Sequence, residues 1–157
     1  MLETDWTQIS GPIWYQPAHA AAAIKLLAAA ETPRRAAKAV VDIQHVVSND
    51  HAGTLWPAAV PAAAVFLRVI KERPGEPRDY ALAALLDWWG CFKPEAEHPT
   101  YLDPVTGPVE VTEGIMRQVR EAAPALRRLV DDSATASRKG IAELLRCLDS
   151  GWTTEDD

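Results

Sequence analysis

Residues 33–47, PRRAAKAVVDIQHVV, place apolar side chains at Ala36, Val40, Ile43 and Val47, a spacing that lines one face of a helix. The same frame returns in EPRDYALAALLDWWGCF as Ala81, Leu85, Trp88 and Phe92, with Asp87 standing where the first copy has Asp42. It returns again in SRKGIAELLRCLDSGW as Ile141, Leu145, Leu148 and Trp152. An apolar helix precedes each copy, and these also align. Ala22, Ala23, Leu26 and Leu27 match Ala62, Ala63, Phe66 and Leu67, then Ala125, Leu126, Leu129 and Val130. A repeated helix pair cannot bury its apolar face alone, so the pattern predicts helical pairs stacked on one another.

Prolines and glycines punctuate this pattern. Pro61 and Pro124 fall at equivalent places within the first helices of the second and third pairs, where a missing N–H is expected to bend the axis. In NDHAGTLWPAAV, Gly53 is expected to stop the preceding helix, Thr54 to cap the next, and Pro57 to lie in its first turn. Residues 93–111, KPEAEHPTYLDPVTGPVEV, contain Pro94, Pro99, Pro104 and Pro108 and are expected to be a long irregular loop. Tyr101 and Leu102 are expected to tuck against the second pair while the loop's carboxylates stay solvated.

A chain of 157 residues is the size of one domain, expected here to span 1–157. Its net charge of -6 argues against sequence-independent nucleic-acid binding and suits a basic protein partner. The first ten residues are acidic and polar rather than signal-like, and the longest apolar run is interrupted at Arg68, so a soluble cytoplasmic protein is expected. Cys91 and Cys147 lack zinc-site or disulfide spacing and read as reduced apolar residues.

Candidate chemistry is sparse. Asp50, His51 and Thr54 could be a base-and-nucleophile set, but as sequence neighbours with no second cluster to orient them they read better as a helix-capping loop. His19 and His45 lie on different helices without a paired-ligand spacing, and Glu95, Glu97, His98 and Asp103 match no metal loop. No glycine-rich phosphate loop occurs. Neither catalytic residues, metal nor cofactor are expected. Trp88 and Trp89 flank the centre of their helix's apolar face and are expected in the core.

The faces opposite the apolar stripes are more informative. They carry Arg35, Lys38 and Asp42 in the first pair, Asp79, Tyr80, Ala83 and Asp87 in the second, and Lys139, Glu143 and Arg146 in the third. Stacked pairs would make these strips neighbours, and they are the expected partner-binding residues.

Pro124, Asp132 and Arg138 resemble the HEAT-repeat signature of a bent first helix, an aspartate in the turn and an arginine opening the second helix. The second unit keeps Pro61 and Arg78 but has a longer turn, KERPGEP, without the aspartate, and the first keeps only the helix pattern. The run GTLWPA, residues 53–58, resembles that of small actinobacterial HEAT-like proteins. The resemblance implies an all-α, right-handed α-solenoid of about three antiparallel helix pairs, with units near 12–50, 52–95 and 112–152 and the second helices lining the concave side. The expected function is a non-catalytic protein-binding module, and small acidic solenoids that this chain resembles include immunity- or antitoxin-like proteins that mask a basic partner. The alternative is a HEAT-like nucleic-acid-binding or DNA-glycosylase-type protein, whose basic groove Asp42, Asp79, Asp87 and Glu143 would interrupt. A hydrolase using the 93–111 loop has no supporting motif.

Overall fold

The computed structural model describes residues 4–12, 15–132 and 135–152, and these are mostly helical. After a 3-10 turn at Trp6–Gln8 come α1 (Pro17–Ala29), α2 (Pro33–Val46), α3 (Ala59–Glu72), α4 (Glu76–Trp88), α5 (Val111–Asp132) and α6 (Thr135–Ser150). Local chemistry marks the helix starts. Thr32 Oγ1 accepts the Arg35 N–H at 3.3 Å to cap α2, and Pro33 takes the first helical position, where a missing N–H costs nothing. Gly75, at φ +87°, makes the sharp change of direction into α4.

The helices pack as consecutive pairs: α1 on α2, α3 on α4, and α5 on α6. Between pairs, α2 packs on α4, α4 on α6, and α3 on α5. The core runs through the middle pair. Phe66 of α3 and Trp88 of α4 are fully buried, with ring centroids 5.4 Å apart. Glycines bring neighbouring pairs close: a Cβ on Gly114 of α5 would lie 3.1 Å from a Val60 methyl of α3, and one on Gly140 of α6 would lie 3.2 Å from Leu82 of α4.

The turns between paired helices are tied by arginines. Buried Arg78 donates from Nε to the Ile70 carbonyl at 2.6 Å and from Nη2 to the Lys71 carbonyl at 3.5 Å, satisfying groups that the end of α3 leaves open. Arg138 repeats the second contact on the Asp131 carbonyl at 3.5 Å. Asp132, expected in the turn, is the last residue of α5, and the two residues after it lie outside the described set.

The expected stripes Ala36, Val40, Ile43 and Val47, and Ala81, Leu85 and Trp88, are buried, while Phe92 is half-buried. The third copy is turned slightly. Ile141 and Leu144 are fully buried, whereas Leu145, Leu148 and Trp152 are half-buried. In α1 the expected face is wrong at two positions: Ala23 and Leu27 are buried, but Ala22 is exposed and Leu26 is 62 % exposed. Pro124 lies inside α5 as expected, whereas Pro61 is in the first turn of α3, where it breaks no intrahelical bond and bends nothing.

The 93–111 segment is not irregular. Lys93–Pro94 (β3) adds in parallel to Thr54–Leu55 (β2), which pairs antiparallel with Ser48–Asn49 (β1). Thr100–Asp103 (β4) and Gly107–Glu110 (β5) form a hairpin. Asp103 shapes its turn by accepting the Val105 and Thr106 N–H groups at 2.8 and 2.9 Å, which holds its carboxyl below the usual range. Tyr101 is partly buried against the core, on a strand that contacts α5 of the third pair, but Leu102 points outward and is 70 % exposed. Thr54 is therefore a strand residue and not a helix cap, and α3 starts only at Ala59.

The last described residues strap back onto α4. Trp89 and Trp152 stack with centroids 4.9 Å apart, and their indoles donate crosswise, Trp89 to the Gly151 carbonyl at 3.1 Å and Trp152 to the Phe92 carbonyl at 2.8 Å. At the other end, Tyr15 is buried beside Trp56, and its hydroxyl has no hydrogen-bond partner among the described residues. Burial pushes the Tyr15 phenol up to about 12. Because the unfolded chain releases this proton near its ordinary value of 10.0 and the folded chain holds it until about 12, the stability linked to Tyr15 is present below the lower value and is lost as pH rises between them. Chemical denaturation across that window is expected to show a shallower fall for Tyr15→Phe than for the wild type. Identical slopes would place the phenol in water. Among the described residues no helix is long and apolar enough to cross a membrane.

Candidate functional site

Because α2, α4 and α6 lie side by side, the polar strips of the three pairs fall on adjacent helices. On α2, Arg35 and Lys38 are exposed, and Lys38 Nζ meets Asp42 Oδ2 at 2.8 Å one helical turn away. On α4, Asp79, Tyr80, Ala83 and Asp87 are all exposed, Tyr80 at 48 %. On α6, Lys139, Glu143 and Arg146 are exposed, and Arg146 pairs with Glu143.

Two carboxylates stitch the strips together. Asp79 Oδ1 accepts the Ser137 hydroxyl of α6 at 3.0 Å, and Asp87 Oδ2 accepts the Gln44 amide of α2 at 3.4 Å. Asp42 and Glu143 are thus offset by cations on their own helices, whereas Asp79 and Asp87 are held by neutral donors and keep the face's negative charge.

Between α2 and α4 the face opens into a cleft of about 690 Å³ lined by Arg34, Arg35, Ala37, Lys38, Val41, Glu76 and Tyr80. Arg34 and Glu76 are absent from the strips read from the sequence. Arg34 could have been found from one signal: it and Arg35 sit in the first turn of α2, which has no acidic residue, although a helix start disfavours cations. The site can do ionic and aromatic recognition at an open surface. It has no nucleophile held against a base.

The other sequence candidates do not converge. The Thr54 hydroxyl is directed to Glu95 at 2.7 Å. Asp50 instead pairs with His45 Nδ1 at 2.8 Å and accepts from the Ser48 hydroxyl at 3.3 Å, while His51 is exposed. Among the described residues no group of three His, Cys, Asp or Glu side chains is placed to hold a metal ion, so Glu95, Glu97, His98 and Asp103 remain separate. Comparisons with known protein families, with curated proteins and with solved structures find no match to this chain.

Proposed function

We propose that the chain is a right-handed α-solenoid of three HEAT-like helix pairs that acts as a non-catalytic protein-binding module, with α2, α4 and α6 as its binding face. Stacking of second helix on second helix and of α3 on α5 supports the solenoid, as does the shared contact of Arg78 and Arg138 with the end of the preceding helix. The single observation that carries the binding reading is Tyr80. A half-exposed aromatic ring set in a cleft between charged helices is the kind of anchor on which protein interfaces concentrate their energy. Masking of a toxin is the narrower form of this reading. Such a partner would lay cationic groups over Asp79 and Asp87 and anionic groups over the α2 side, so its surface carries both signs.

The test is photocrosslinking in the cells of origin, with the crosslinking side chain placed at Ala83 on the proposed face or at exposed Ala64 of α3. Adducts are expected from position 83 and not from 64, and Tyr80→Ala is expected to reduce them while leaving the melting temperature unchanged. Adducts from 64 alone, or an undiminished yield with Tyr80→Ala, would remove the reading.

A further inference from the structure

Arg34 and Arg35 are placed against local preference. Both occupy the first turn of α2, where the helix macrodipole repels cations, and that turn supplies no carboxylate to offset them. Neither guanidinium has an ion pair or a side-chain hydrogen bond among the described residues. On the same face Lys38 is paired with Asp42 and Arg146 with Glu143. A local rule broken without an internal gain marks a position kept for something outside the fold.

We infer that the cleft between α2 and α4 binds a carboxylate-rich peptide segment of a protein partner, with Arg34 and Arg35 holding its carboxylates and Tyr80 packing on an apolar side chain between them. The inference rests on the protein-binding reading of this face and names the chemistry of the segment. Charge complementarity selects the occupant. Guanidinium forks match carboxylates in bidentate geometry, and two forks on successive residues serve two separate acids better than one small ion. Glu76, on the α4 wall facing the arginines, repels a dianionic phosphate more than it repels a single carboxylate at the same place. At about 690 Å³ and open along two helices, the cleft has room for several side chains of an extended segment.

The chain contains its own control. Arg127 and Arg128 form a second exposed arginine doublet, on α5, and do not line the α2–α4 cleft. The probe is a short fluorescein-labelled peptide of alternating glutamate and leucine, followed by anisotropy at low and at physiological salt. Arg34→Gln/Arg35→Gln is expected to weaken its binding by about tenfold, Tyr80→Ala by a smaller factor, and Arg127→Gln/Arg128→Gln not at all, with salt weakening the wild type. The glutamine-for-glutamate peptide should not bind. All the substituted side chains are exposed, so the variants are expected to melt with the wild type. Equal loss from the two arginine doublets, no loss from either, or tighter binding of a single-stranded oligonucleotide than of the peptide would overturn the inference. Repeating the position-83 crosslink in the Arg34→Gln/Arg35→Gln background separates the two readings. An undiminished adduct there, with Tyr80→Ala still reducing it, leaves the binding face standing and removes the acidic segment.

Discussion

Trp88→Ala is expected to cost about 3 to 5 kcal/mol, a large share of the stability of a domain this size. Trp88 is fully buried at the centre of the middle pair and lies against Phe66 across the α3–α4 interface. Removing its indole leaves a cavity bounded by two helices that are themselves clamped by neighbours on either side, α3 by α5 and α4 by α2 and α6, so the site cannot collapse to recover contacts. Trp88→Phe should cost far less. It keeps an aromatic ring against Phe66 and deletes an Nε1–H that has no acceptor among the described residues. Denaturant unfolding should show a large midpoint shift for alanine and a small one for phenylalanine at an unchanged slope. Equal losses for the two would mean that the indole N–H, and not the ring, carries the contribution.

Leu85→Ala is expected to cost about 2 to 5 kcal/mol, whereas Ala83→Ser, two residues earlier on the same helix, should stay within about 0.5 kcal/mol. Leu85 has no exposure and belongs to the continuous core, while Ala83 faces out with Tyr80 and Asp87. The pair therefore reads the rotation of α4 directly. Small and equal effects would mean that the polar strip of α4 is not a surface, and the proposed binding face would fall with it.

Helical faces could be read where apolar and charged residues alternate strongly, as on α2, where Ala36, Val40 and Ile43 are buried and Arg35 and Lys38 are exposed. On α1 the run AAAAIKLLAA is apolar almost all round, so no stripe defines which side turns inward, and Ala22 and Leu26 were assigned to the wrong one. The strands were hidden for a different reason. β2 and β3 are two residues long, too short for any alternation, and Pro94 in β3 and Pro108 in β5 read as breakers although each sits in a short peripheral pairing. Of the candidate site, the strips on α4 and α6 were legible as the complement of the core stripe. The cleft itself was not, because its Arg34 and Glu76 walls come from the starts of two helices that become neighbours only through tertiary packing.

The parallel pairing of β2 with β3 brings together the two ends of the segment that contains α3 and α4. The Lys93 N–H reaches the Gly53 carbonyl and the Glu95 N–H reaches the Leu55 carbonyl, each at 3.0 Å. Closing a segment of about 40 residues costs entropy that grows only slowly with its length, so this clasp is cheap to form once the two helices have met. It ties the two ends of the middle pair to each other, so that pair is expected to open as one unit. In hydrogen exchange such a unit is the last to open, with the outer pairs fraying first from each end of the stack. The Tyr80 side of the cleft is then expected to open more slowly than the Arg34 side, so a ligand bridging the two would draw the first pair into the stability of the second.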